Sequence, residues 1–283
     1  MRFQIGAMTV GDILDRGVKM LFTRLGTFLT INLITYTPVL LVQLLQPLLI
    51  QASQTATDQG STAALTLLAI TLFGSLFALI IYFMAVYVGT AAMLHVISKE
   101  FVDETVTVGE ALKFAWRRAG ALFWSLFLVG MLMMLGFVMC IIPGILFAIW
   151  YAFVAQVVVV EGLSGPRALA RSKELTEGYR WRVLGLSLLM FLINLAVVAP
   201  FALVELILPS NRRVIGPGGL PRAIPIYPNY FINIALMFIP TIVIAAYYSI
   251  CFTLFYFDLR IRKEGFDLLL LAKPKLAPDD ELA

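Results

Sequence analysis

Between two long apolar runs stands RSKELTEGYRWRVLG, residues 171–185, in which Arg171, Arg180 and Arg182 surround Trp181. A guanidinium group forks onto phosphate or carboxylate oxygens through paired hydrogen bonds, and an indole suits the boundary between water and hydrocarbon. The chemistry on offer is recognition of an anionic group at a membrane surface. Arg117 and Arg118, beside Trp116, repeat the theme upstream. Arg117, Arg118, Arg171, Arg180, Trp181 and Arg182 are therefore candidate contacts for phospholipid head groups. The plainer reading of the same residues is topological: they mark where the chain leaves a membrane and anchor it there.

The other reactive side chains offer less. The chain has one histidine and two cysteines, and Cys140 and Cys251 lie in apolar runs without metal-ligand spacing. Paired histidine ligation is excluded, neither a disulfide framework nor a zinc site is indicated, and we expect no catalytic, cofactor or metal site. His95, in AAMLHVISKE, stands near the end of an apolar run, where interfacial hydrogen bonding is expected instead of a proton relay. Glu161 follows VVVV at another boundary and is expected to neutralise Arg167 or Arg171. Glu205, in VELILP, is placed to pair with Arg212 or Arg213, whereas Gln156, Asn194 and Asn233 are polar side chains that can join helices. No phosphate-cradling Gly-rich motif or nucleophile elbow appears, and GPGGLP at 216–221 opens neither a helix nor a strand suited to nucleotides.

The elements that must position these residues are membrane spans. Of 283 residues 61% are hydrophobic and 13% charged, about half the charged share of a soluble domain. Crossing a hydrocarbon layer of roughly 30 Å takes about 20 apolar residues in a helix. Six runs meet that need, at about 26–50, 64–97, 120–142, 144–161, 183–208 and 230–257. Pro143-Gly144 is expected to form a tight turn between the third and fourth. All but Arg212, Arg213 and Arg222 of the 21 Lys and Arg residues fall on one side of this arrangement. The positive-inside rule then makes both termini cytoplasmic and explains the net charge of +4 without nucleic acid. MRFQIGAMTVGDILDRG lacks the pattern of a cleaved secretory signal, so the first span is expected to direct insertion.

TVGDIL at 9–14 returns as TVGEAL at 107–112 and more loosely as SGPRAL at 164–169. Thr followed three residues later by an acid is a helix-start signal, and Pro166 suits a first helical turn. The pattern predicts an all-α polytopic membrane protein with about six transmembrane helices in three hairpin repeats, at about 9–98, 107–161 and 164–258. Each repeat opens with an amphipathic cytoplasmic interfacial helix. Ile13, Leu14, Leu21 and Phe22 form the apolar face of the first, Ala111, Leu112, Ala115 and Trp116 that of the second, and Ala168, Leu169 and Leu175 mark the third. Residues 1–265 form one integral membrane domain and 266–283 a short cytoplasmic tail.

PGILFAIWYAFVAQVVVVEG, ALARSKELTEGYRWRVLG and the late FYFDLRIRKEGFDL resemble the membrane domain of bacterial glycerophosphoryl diester phosphodiesterases and its stand-alone integral membrane relatives, over roughly residues 9–271. The resemblance implies an all-helical polytopic domain, sometimes fused to a soluble phosphodiesterase barrel with paired histidines, acids and a divalent metal. One histidine and no soluble segment of that length leave this chain without the enzyme. The resulting expectation is a non-enzymatic bacterial inner-membrane protein associated with phospholipid head groups, in lipid handling or membrane organisation. Proline-broken helices at Pro38, Pro47 and Pro240 keep a small-molecule or lipid transporter as an alternative. Abundant aromatic and small residues keep an accessory or assembly subunit, with a membrane-protein partner or a second copy of the chain, as another.

Overall fold

The computed structural model describes residues 8–57, 61–100, 104, 106–208, 211–215, 221–225 and 227–265, with the backbone alone at 46–57, 61–68, 70–71, 205, 211–215, 221–225 and 227–228. Its first helix, α1, spans Val10–Thr23 and starts as its sequence dictates. The Thr9 hydroxyl accepts the Asp12 amide at 3.2 Å while the Asp12 carboxylate accepts the Thr9 amide at 2.9 Å. Thr107 and Glu110 form the same reciprocal cap, at 3.4 and 3.0 Å, ahead of a helix at Val108–Met139. Each cap satisfies amides that a helix start leaves without partners.

After α1 come α2 (Leu25–Thr57), α3 (Ser61–Glu100), α4 (Val108–Met139) and α5 (Ile141–Trp150). A short helix, α6 (Val154–Gln156), passes into a π-helical turn at Val157–Glu161, and α7 (Pro166–Thr176), α8 (Arg180–Ile207) and α9 (Tyr227–Glu264) follow. Six helical segments are long and apolar enough to cross a membrane: Leu25–Leu45, Leu72–Glu100, Val108–Met139, Ile141–Glu161, Arg180–Val204 and Asn229–Glu264. Neighbouring spans pack as α2 on α3, α3 on α4, α4 on α5 and α8 on α9, while α1 lies on α9 and α7 on α5. Two short strands, β1 (Asn211–Ile215) and β2 (Pro221–Pro225), pair antiparallel between α8 and α9, with Asn211 opposite Pro225.

The core sits where α9 meets α1 and the fourth span. Ile250, Cys251, Leu254, Phe255 and Tyr256 are fully buried there, against Ile13 and Met20 of α1 and Phe153, Val157 and Val158 of the fourth span. Gly17 lets α1 approach this closely, since a Cβ on it would lie 2.8 Å from Cys251 Sγ. Outward, Phe73, Phe77, Met134, Phe191 and Leu206 are exposed, the arrangement that hydrocarbon, unlike water, favours.

Several details differ from the sequence expectation. Phe22 faces outward, because the buried stripe of α1 runs through Ile13, Gly17, Met20 and Leu21. Trp116 is likewise exposed, and α4 continues from Val108 through the membrane without a joint, so the second interfacial segment is the first part of a span. The turn between α4 and α5 lies at Cys140, whose backbone is extended, and Pro143 belongs to the first turn of α5, where its missing amide hydrogen costs no helical bond. Helices α2 and α9 run unbroken through Pro38, Pro47 and Pro240. The interruption falls instead at Tyr151–Phe153 in the fourth span.

A candidate head-group surface and the ion pairs beneath it

The break in the fourth span is mended from α7. Ser172, fully buried, accepts the Phe153 amide at 3.2 Å and donates to the Trp150 carbonyl at 2.8 Å, occupying backbone groups that the interrupted helix releases. Bilayer interiors supply no solvent to satisfy such groups, and a hydroxyl inserted from a neighbouring helix is one way to satisfy them. Pro166 starts α7 after Gly162 and Gly165, both at positive φ (75° and 59°), a conformation that glycine adopts without strain. The Gly165 amide is held by Ser125 Oγ at 2.8 Å.

With α7 fixed, its charges enter an internal network. Arg171 donates from Nε to Glu161 at 2.9 Å, from Nη1 to Glu174 at 3.1 Å and from Nη2 to Glu264. Arg260 holds the other oxygen of Glu264 at 3.0 Å, and the Tyr256 hydroxyl donates to Glu161 at 2.7 Å. Burial alone would lower the Arg171 pKa, but the hydrogen bonds it donates to Glu161, Glu174 and Glu264 raise it above its ordinary value. Glu161 thus takes Arg171, one of the two partners its position suggested. The acids at 174 and 264 complete the set.

A second cluster closes around Asp258, 0% exposed. Its carboxylate accepts the Met8 amide at 2.7 Å, Arg182 Nη1 at 3.2 Å and Arg262 Nε at 3.0 Å. Arg182 and Arg262 also converge on the Met8 carbonyl, at 3.0 and 2.9 Å. The chain entering α1 is therefore clasped to the ends of α8 and α9. Arg24 pairs with Glu100 at 3.0 Å across the starts and ends of the first two spans.

These pairings divide the candidate contacts. Arg171 and Arg182 are bound to internal carboxylates, and Arg118 donates to the Gly162 carbonyl at 3.3 Å while its guanidinium lies 5.9 Å from the Phe114 ring centre. Arg117 is exposed beside Trp116, itself 72% exposed. Trp181 is 84% exposed, and its neighbour Arg180 approaches Glu177 only at 3.9 Å and lies 5.5 Å from the Trp150 ring centre. His95 stacks on Phe114 with ring centres 3.9 Å apart, a packing role. The side chains of Glu205, Arg212, Arg213 and Arg222 lie outside the described residues, as do Arg2, Lys273 and Lys275 and the tail expected at 266–283. Among the described residues no group of three or more His, Cys, Asp or Glu could hold a metal ion.

Sequence reasoning gave no structural role to Asp258, Glu264, Ser172 or Met8, although the first three lie in the segments that carry the family resemblance. The first two carried a signal, since Asp258 precedes Arg262, and Arg260 precedes Glu264, at the four-residue spacing of helical neighbours. Met8 is joined to Asp258 only by the tertiary fold, and nothing local announces it.

Six apolar helical spans around a charged end tied by buried ion pairs define a polytopic, α-helical multi-pass membrane protein. A family model described as a domain of unknown function, DUF7847, matches residues 8–259, and the chain belongs to that family. No curated protein and no solved structure was found to match it.

Proposed function

We propose that this protein is a non-enzymatic bacterial inner-membrane protein that engages anionic phospholipid head groups at its charged end and serves lipid handling or membrane organisation. The observation that carries the reading is the pair of exposed Trp–Arg couples, Trp116 with Arg117 and Trp181 with Arg180, left at that end after Arg171 and Arg182 have been taken by carboxylates. An indole in the interface beside an arginine within reach of phosphate is a favourable combination, each such charge contributing on the order of 1 kcal/mol. The charged end faces the cytoplasm by the positive-inside rule, placing both termini there. The three neighbouring span pairs, each entered through TVGDIL, TVGEAL or SGPRAL, are three copies of one unit. Resemblance to the phosphodiesterase membrane domains supports a lipid setting.

The test is lipid retention. Purified in native membrane patches, the parent retains anionic lipids that mass spectrometry identifies. Arg117→Gln with Arg180→Gln removes about 2 kcal/mol of attraction and lowers relative retention roughly thirtyfold. Equal retention by a folded double variant refutes the head-group reading. Reporter fusions at Gln59 and Gly218 should report outside, and one at the C-terminus inside.

A further inference from the structure

A cavity of about 320 Å³ lies inside the bundle, within the range of small-ligand sites. Five of the six spans wall it, and its lining includes Tyr36, Thr90, Gln156, Asn194, Thr241 and Tyr248. Thr90 stands about 15 Å along its helix from the charged end and Asn194 about 21 Å, which places the cavity near mid-depth in a hydrocarbon layer of roughly 30 Å. Hydroxyl and amide groups gathered at that depth call for an explanation, because the surroundings offer them no solvent.

We propose that this cavity binds an uncharged, hydroxyl-rich group. Three observations converge on it. Gln156, 5% exposed, lines the cavity, and its Oε1 is buried without a hydrogen-bond partner among the described residues, a polar group that the protein itself leaves unsatisfied at this depth. The segment carrying Gln156 is the irregular part of the fourth span, between the Tyr151–Phe153 break and the π-helical turn at Val157–Glu161, and both kinds of irregularity concentrate where membrane proteins bind ligands. The charge of the ligand follows from the walls. No acidic or basic side chain lines the cavity among the described residues, and an ion at mid-depth would need a counter-charge. Access is lateral, since two of the lining residues are themselves exposed, Asn194 on α8 and Tyr248, at 47%, on α9.

Two sources present such a group: a free polyol, or the hydroxyl end of an uncharged lipid such as a diacylglycerol. The site is independent of the charged-end surface, and its test contains no anionic lipid. The protein is placed in phosphatidylcholine nanodiscs and titrated with radiolabelled myo-inositol and, separately, dioleoylglycerol. The parent binds one of them saturably. Asn194→Leu and Gln156→Leu each weaken that binding about tenfold, the loss expected for one or two hydrogen bonds in a low-dielectric site, while Arg117→Gln with Arg180→Gln leaves it unchanged. Saturable myo-inositol binding assigns the site to a free solute, and binding of dioleoylglycerol alone assigns it to a lipid. Asn194 lies on an exposed face, so Asn194→Leu decides the matter if Gln156→Leu does not fold. Failure to bind either probe saturably, or binding that Asn194→Leu does not weaken, overturns the proposal.

Discussion

The Met8 amide donates to the Asp258 carboxylate at 2.7 Å, joining the first described residue to the last helix across nearly the whole chain. The contact is buried, and the same carboxylate neutralises Arg182 and Arg262. Replacing Asp258 with Asn keeps an acceptor for the Met8 amide but leaves two guanidinium groups without their counter-ion. Breaking a buried pair from one side costs about 3–5 kcal/mol, so Asp258→Asn should lower the thermal midpoint in detergent markedly. Arg182→Gln should cost less, because Arg262 remains on the carboxylate. Equal midpoints for Asp258→Asn and the parent would falsify the clasp.

Ser172 makes a sharper local prediction. Ser172→Ala removes the partner of both the Phe153 amide and the Trp150 carbonyl, and each buried group left unpaired costs about 1–3 kcal/mol. Hydrogen exchange at the Phe153 amide should accelerate far more than at amides within α4. Unchanged exchange at that amide would show that the broken span is held by something else.

How much of this was legible beforehand depends on the range of the interaction. The spans and the caps at Thr9 and Thr107 follow from residues within a helical turn or from apolar runs, and the six helices appear near their expected positions. The Cys140 turn was misplaced because Pro143-Gly144 reads equally as a turn or as a proline in a first helical turn followed by a close-contact glycine. The broken fourth span was invisible, since FAIWYAFVAQVVVV holds no proline or glycine and a single amide, Gln156, and the residue that stabilises the break, Ser172, sits on another helix. At the candidate surface the basic residues were evident. Which of them are taken by carboxylates depended on long-range pairs such as Arg182 with Asp258 and Arg171 with Glu264.

The cap of α1 sets a pH dependence. Hydrogen bonds from the Thr9 hydroxyl and then the Thr9 amide hold the Asp12 carboxyl below its ordinary value of 3.8. A carboxyl with a depressed folded pKa contributes stability above its unfolded value and loses it as pH falls through the folded one. Asp12→Asn should therefore lower the thermal midpoint at pH 7, and the gap from the parent should narrow below about pH 4. A gap that stays constant down to pH 2 would mean that the Asp12 charge contributes nothing to the cap.

The α4–α5 hairpin permits a test of where close packing is rigid. A Cβ on Gly144 would lie 2.5 Å from Phe137 Cδ1 and 2.6 Å from its Cγ, so Gly144→Ala forces the ring to move. Overpacking of this kind costs about 1–3 kcal/mol. The obstruction is a side chain, and removing it in Gly144→Ala with Phe137→Ala should recover part of the loss, giving a non-additive double-mutant cycle. Gly136 differs. Its Cβ would meet Phe147 at 2.8 Å but also the Gly144 backbone, Cα and N, at 3.0 Å. Trimming Phe147 relieves one contact and leaves the other, because a backbone cannot be shortened. Thermal unfolding of the two cycles should show strong coupling for Gly144 with Phe137 and weak coupling for Gly136 with Phe147. Equal coupling in both would show that the backbones separate readily, and that the approach of the two helices at Cys140 is set by the turn and not by the glycines.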